Sequence, residues 1–258
     1  MKKIIVTFTI LIFIIVAFIY NIIQNRLQCI EEISYSHKRV VRQDSSYTIA
    51  VVGDSWADNG RKYNLGKMID ERFKEAGIIS QTFVAGVQGA KTSQIYQNLF
   101  NDTTIDGMNY IISKNPHYCI LLMGLNDLNG QYGQKYYTHH TLLIVKYLNS
   151  RDIIPIIYNI PDVNYLNLYH KYPQSKQIAY RILSFITSGK TSLDNRRLYI
   201  ESVNQSLKKT NYKYIIANAE FLDYNNRIYL QDDIHLNEKG YIELSKSIFN
   251  YIVDSNNK

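Results

Sequence analysis

Three short stretches carry side chains that could act together on a substrate. The first, Val51-Val52-Gly53-Asp54-Ser55-Trp56-Ala57, follows an apolar run and puts a serine at a strand-to-helix turn. A serine there can expose its hydroxyl beside helix N-terminal amides, which can stabilise an oxyanion. Alone, Gly-Asp-Ser reads as a tight turn with a capping side chain. The second stretch, Met123-Gly124-Leu125-Asn126-Asp127, also follows an apolar run. Asn126 could give its side-chain amide to a developing oxyanion, and Gly124 allows close backbone approach, or the stretch is a polar turn capping a helix. The third, Asp232-Asp233-Ile234-His235-Leu236-Asn237, sets an aspartate three residues before a histidine. On a turn that carboxylate can fold back to the imidazole, fix its tautomer and support its protonated form. The bland alternative is a surface histidine beside a helix cap.

These residues need a frame. β-rich runs at Thr48–Val52, Ser80–Val84, His117–Met123, Ile153–Asn159 and Tyr212–Ala217 alternate with helical patterns. That alternation predicts an α/β domain around a mostly parallel five-stranded sheet, with helices on both faces. Arg61–Ala76 places Leu65, Met68, Ile69 and Phe73 on one helical face, with Gly77 as a stop. Thr138–Leu148 and Ser175–Thr187 read as helices. So does the last segment, which opens at the N-cap candidate Asn237 and repeats Tyr241, Leu244, Ile248 and Ile252. In such sheets chemistry collects at the carboxyl ends of the strands. All three stretches follow a strand.

In this order and setting the stretches resemble the four sequence blocks of the SGNH/GDSL hydrolase superfamily. The matching residues are Gly53-Asp54-Ser55, Gly89 within Ala85–Thr92, Gly124-Leu125-Asn126-Asp127, and Asp232 with His235. The likeness spans residues 47 to 254, and its second block is the loosest. It implies a flavodoxin-like three-layer α/β/α fold (the SGNH hydrolase fold) and acyl-ester chemistry without cofactor or metal. Ser55 would be nucleophile, His235 general base and then acid, and Asp232 the residue that orients it. The Ser55 and Gly89 amides and the Asn126 side chain would hold the oxyanion. Three positions depart from the pattern. Trp56 follows the serine, where its ring either walls a short acyl pocket or packs into the core. Gln88 stands where a serine is frequent. Asp233 stands where glycine is usual, as a rival to Asp232 for the orienting role. His37, His117, His139, His140 and His170 lack a comparable setting. His139 and His140, being adjacent on a helix, point apart and do not suggest a metal.

Lys2-Lys3 precede an apolar stretch from Ile4 to Tyr20 that is nearly continuous to Ile23. Its length predicts a signal anchor over residues 1–23, with the chain beyond it outside the cytoplasm; a cleaved signal peptide is the alternative. Residues 24–46 would form a polar stalk and 47–258 the hydrolase domain. No small residue precedes Cys29, so lipidation is not expected, and Cys119 sits in an apolar run as a core residue. The formal charge of +7 and pI near 9.1 come from scattered Lys and Arg without any nucleic-acid-binding pattern. They suit a solvated surface near an anionic envelope.

The leading expectation is therefore an exported esterase removing short acyl groups, O-acetyl above all, from an envelope carbohydrate. An O-acetyltransferase or transacylase would carry the same blocks, and so would a lipase or lysophospholipase, though no apolar lid segment stands out. The non-enzymatic reading is a glycan-binding module with a dead site.

Overall fold

The computed structural model describes residues 2–36, 46–163, 165–187, 195–222 and 227–256. It begins with helix α1 (Lys2–Leu27), followed by the extended segment 28–36. The alternating body opens with β1 (Tyr47–Gly53), α2 (Ser55–Lys62), α3 (Leu65–Glu75), β2 (Ser80–Gly86), α4 (Thr92–Asn101) and α5 (Met108–Ser113). It continues with β3 (Tyr118–Leu122), α6 (Leu125–Asn129), α7 (Gln134–Asn149), β4 (Ile154–Tyr158), α8 (Tyr165–His170) and α9 (Gln174–Ile186). The chain closes with α10 (Arg196–Leu207), β5 (Ile215–Ala217) and α11 (Glu238–Asn256).

The strands form one parallel sheet in the order β2-β1-β3-β4-β5. Every residue of β3 is buried, as expected of a strand covered on both faces. α3 packs against α11 on one side, while α4 and α5, and α7 with α4 and α10, pack together on the other. This is the three-layer α/β/α arrangement predicted from the sequence. From β1 the chain turns outward to β2, then crosses back to β3 on the far side. The order reverses between β1 and β3, and the crevice at their carboxyl ends is the place where such sheets bind ligands.

Two elements differ from expectation. The helix expected over Arg61–Ala76 is two helices, because Asn64 adopts a left-handed conformation (φ 55°) between α2 and α3. Asparagine tolerates that conformation better than most residues. The last strand shrinks to Ile215–Ala217 at the sheet edge. Gly77 does end α3, its positive φ allowing Ile78 N–H to reach back to Phe73 O at 2.8 Å. Asn237 does cap α11, accepting Gly240 N–H at 3.0 Å. Cys119 is buried in β3, and the two cysteines are not joined in a disulfide.

Among the described residues, no helix is long and apolar enough to cross a membrane. The spanning anchor expected over residues 1–23 is thus not supported. In α1 the apolar side chains that are described run from Val6 to Tyr20 and, where large, stand mostly 47–76% exposed.

The expected stalk is docked over its described part, while 37–45, with His37, Lys38, Arg39 and Arg42, lie outside the described residues. His140, fully buried in α7, accepts Ile30 N–H on Nε2 at 3.2 Å. Its Nδ1 lies 2.8 Å from Tyr136 O, so the proton sits on Nδ1. His139 Nε2 meets Ile30 O at 2.9 Å, and Ile33 N–H reaches Tyr96 on α4 at 2.9 Å. Lys146 pairs with Glu32, and Tyr35 packs edge-on against Tyr147. The neighbouring histidines therefore serve as clamps for a strap.

Burial lowers the pKa of His140 from 6.5 to about 4, against the opposing pull of the Tyr136 carbonyl. Between those values the unfolded chain binds more protons than the folded one, so this contribution to stability is complete above pH 6.5 and is lost as pH falls towards 4. The shift corresponds to about 3 kcal/mol. Replacing His140→Gln should flatten the acid limb of stability by roughly that amount, read from urea midpoints at pH 7 and pH 4.5.

Candidate active site

Gly53 ends β1 where it presses against β3. A Cβ at this position would stand 2.0 Å from Leu122 O, so only glycine lets the strands meet there. Asp54 N–H then donates to Leu122 O at 2.9 Å, and Asp54 becomes the N-cap of α2, its Oδ1 accepting Trp56 N–H at 3.0 Å. Ser55 follows as the first residue of the helix. Its own N–H has no intrahelical acceptor, as at any helix start.

The loop before α11 brings the other two groups. Asp232 Oδ1 accepts the N–H of Ile234 at 2.8 Å and of His235 at 2.7 Å, curling the chain into a turn. Its second oxygen lies 2.7 Å from His235 Nδ1, and His235 Nε2 lies 3.2 Å from Ser55 Oγ. A carboxylate only accepts, so Nδ1 carries the imidazole proton and the Nε2 lone pair faces the serine hydroxyl. Partial burial pushes the Asp232 pKa up, but hydrogen bonds from His235 and from the two amides outweigh it and the net shift is downward. Asp232 is thus an anion positioned to stabilise an imidazolium.

Asp233, the rival, points away. Its buried carboxylate is ion-paired with Lys171 at the end of α8 and with Arg227. It ties the segment over the site to the histidine loop and takes no part in orienting His235.

A cleft of about 210 Å³ opens above Ser55 and His235, walled by Gly89, Leu125, Asn126, Leu168 and Ile234. Gly89 has a positive φ of 72°, and a Cβ there would meet nothing within 4 Å. It is the backbone conformation, not space, that favours glycine. No hydrogen bond to its N–H forms among the described residues. Among the described residues neither the Ser55 nor the Gly89 N–H finds an acceptor, and both residues line the cleft.

Asn126 differs from expectation. Its Nδ2 donates to Ala90 O at 3.1 Å and to Asp54 Oδ2 at 3.3 Å, which engages both amide protons. To serve an oxyanion it would have to release the longer bond. Trp56 differs too. Its ring is 3% exposed and packs in the core, away from the cleft, while Nε1 donates to Ile234 O at 2.8 Å. The acyl-wall role expected for Trp56 gives way to a structural link, because the helix beginning at Ser55 turns the next side chain inward.

Beneath the cleft lie two fully buried carboxylates. Asp54 has its pKa raised to about 7 by burial, with the nearby Asp127 charge adding to the effect. Asp127 is also raised to about 7 by burial, and it accepts Thr92 N–H at 3.0 Å and Thr92 Oγ1 at 2.6 Å. Neither side chain reaches Ser55 or His235 in a hydrogen bond. Asp54 holds Asn126, and Asp127 holds the start of α4 behind Gly89. Their contribution was not apparent in the sequence, where both stood inside the motifs as neighbours of the reactive types.

No protein-family model matches the chain, and no curated protein does. Solved structures do. A psychrotrophic esterase from Pseudoalteromonas sp., solved inhibited by monoethylphosphonate, superposes with a TM-score of 0.59 at 16% identity, covering 83% of this chain and 100% of its own. A protein assigned to the G-D-S-L lipolytic family, from Desulfitobacterium hafniense, gives 0.57 at 12%, covering 80% and 99%. A family 3 carbohydrate esterase from Clostridium thermocellum gives 0.55 at 16%, covering 81% and 96%. At these identities the likeness establishes the fold, which is that of SGNH hydrolases.

Replacing Trp56→Phe keeps an aromatic ring but removes the donor to Ile234 O and part of the buried indole volume. The rate at which a phosphonate labels Ser55 should fall about 3- to 10-fold, with the melting temperature moving by only a few degrees. Labelling kinetics and a thermal melt check both.

Proposed function

We propose that this protein is a serine-dependent esterase that removes short acyl groups, acetyl above all, from a carbohydrate outside the cytoplasm. The reading rests chiefly on one observation, the hydrogen-bonded series from Asp232 through His235 to Ser55 Oγ at the mouth of a small cleft. In this reading Ser55 Oγ attacks the ester carbonyl as His235 Nε2 takes its proton. The carbonyl oxygen, now an anion, is received by the Ser55 and Gly89 N–H groups, joined by Asn126 if it yields its bond to Asp54. Collapse expels the sugar alkoxide, which takes the proton back from His235. Water, deprotonated by the same imidazole, then attacks the acyl-Ser55 ester and releases the acid.

The cleft volume favours acetyl over long chains, since drug-sized ligands need about 300 Å³ or more. A carbohydrate esterase among the fold neighbours supports a sugar ester as substrate. Extracytoplasmic action is supported by α1, where a lysine pair precedes an exposed apolar run. A run of this length is in keeping with an export signal.

The full chain should release acetate from an acetylated xylan or chitooligosaccharide, and Ser55→Ala should reduce the rate by about 10⁴-fold or more. Undiminished release by Ser55→Ala would sink the mechanism. Transfer of the acyl group to an added glycan, in place of acid release, would make the protein a transacylase. For location, external protease should digest the chain in intact cells, and deleting residues 2–27 should make it resistant. Resistance of the intact chain would refute export.

A further inference from the structure

Helix α9 is amphipathic in the wrong sense for a helix that only covers a core. Its inward face carries Tyr180 and Leu183. Tyr180 OH donates to Asn129 O at 2.5 Å, Gln131 Nε2 donates to Tyr180 O at 3.2 Å, and Leu183 is buried. On the opposite face Ile178, Ile182, Phe185 and Ile186 are 54%, 47%, 86% and 40% exposed. At 100° per residue these four fall within an arc of about 100°, the width of stripe that a surface helix normally turns towards its core. Here the stripe faces solvent as a contiguous exposed apolar patch, the kind of surface that marks a contact site.

The charges around it indicate the kind of partner. Residues 165–187 contain Lys171, Lys176 and Arg181 and no Asp or Glu. Lys176 lies over the Tyr172 ring, and Arg181 donates to Tyr169 OH; neither is paired with an acid. Lys171 shares the single carboxylate of Asp233 with Arg227, which leaves a surplus positive charge. Arg181 flanks the apolar stripe, Lys171 and Lys176 lie on the same segment away from it, and the segment 165–187 carries no acid, a composition that suits a helix resting on an anionic membrane interface.

We infer that α9 is a docking face for an anionic lipid surface, resting on it through Ile178, Ile182, Phe185 and Ile186. Contact of this kind needs no spanning helix. The face belongs to the segment that walls the cleft, since Leu168 of α8 lines it and Tyr172 and Tyr180 hold the cleft residue Asn129. Lipid contact would therefore present surface-borne molecules to Ser55. The inference stands apart from the esterase reading, and its test needs no turnover.

The one native tryptophan, Trp56, is buried and gives a constant background, whereas Phe185 is so exposed that Phe185→Trp leaves the packing untouched. In the full chain, Phe185→Trp fluorescence should shift to shorter wavelength on adding phosphatidylglycerol vesicles and be quenched by lipids brominated in their acyl chains. Neutral phosphatidylcholine vesicles should need about 10- to 100-fold more lipid for the same quenching. Adding Ile182→Ser should weaken binding to the anionic vesicles. The inference is overturned if anionic vesicles give neither shift nor quenching. It is also overturned if the shift occurs without lipid and grows with protein concentration, which would make the face a contact between two copies.

Discussion

The relation of His235 to Ser55 depends on a single peptide unit, the one joining Ile234 to His235. Its N–H is held by Asp232 Oδ1, and its C=O by the indole of Trp56. Trp56 is the residue after Ser55, so the chain that carries the hydroxyl also grips the chain that carries the imidazole. The carbonyl of Trp56 accepts in turn from Tyr241 OH of α11, at 2.8 Å inside the core. A buried hydrogen bond adds only about 1 kcal/mol to stability, but one placed here limits the motion that matters most to a proton transfer over 3.2 Å. The remaining packing can be seen as what keeps α2 and α11 in place so that this unit stays flat between them.

Beneath it, the two buried aspartates serve the same end by a costlier route. Burying a carboxylate without a cation raises its pKa, and both Asp54 and Asp127 are displaced towards neutrality. What they gain is reach across the sequence. Asp54 sits in the first motif and holds Asn126 in the third, while Asp127 in the third holds Thr92 beside the second. The cleft is thus assembled by polar contacts between loops that emerge from different strands. The strands themselves supply only the height at which those loops begin.

This division explains what was legible in the sequence. Ser55, Asp232 and His235 could be singled out because their stretches, each after a strand and in this order, resemble the SGNH/GDSL blocks, whereas spacing alone left each open to a reading as a turn or a surface histidine. The sheet was legible because strands buried on both faces are apolar throughout. α4 was not, and its capping shows why: the acceptor for Thr92 N–H is Asp127, thirty-five positions further along the chain. Trp56 stayed open between two roles for the same reason. The residue type fits an acyl wall or a core, and only tertiary packing decides between them. Asp233 was set apart from Asp232 only by the spacing to His235, and its own partners, Lys171 and Arg227, come from elsewhere in the chain.

The strap gives these parts a common orientation. α7 begins at the carboxyl end of the sheet, beside the cleft, and Ile30 is clamped to its first two turns by His139 and His140. The chain just before Ile30, and with it α1, therefore leaves the domain at the same end as Ser55. α8 and α9 rise from the carboxyl end of β4 and close over Asn129, so they belong to that end as well. Both exposed apolar helices of the described chain are gathered around the mouth of the cleft, and the opposite end carries neither. If α9 docks on lipid as proposed, Ser55 lies on the side that meets it. The proposed docking of α9 is thus in keeping with a second feature it was not drawn from, the fixing of the lead segment against α4 and α7.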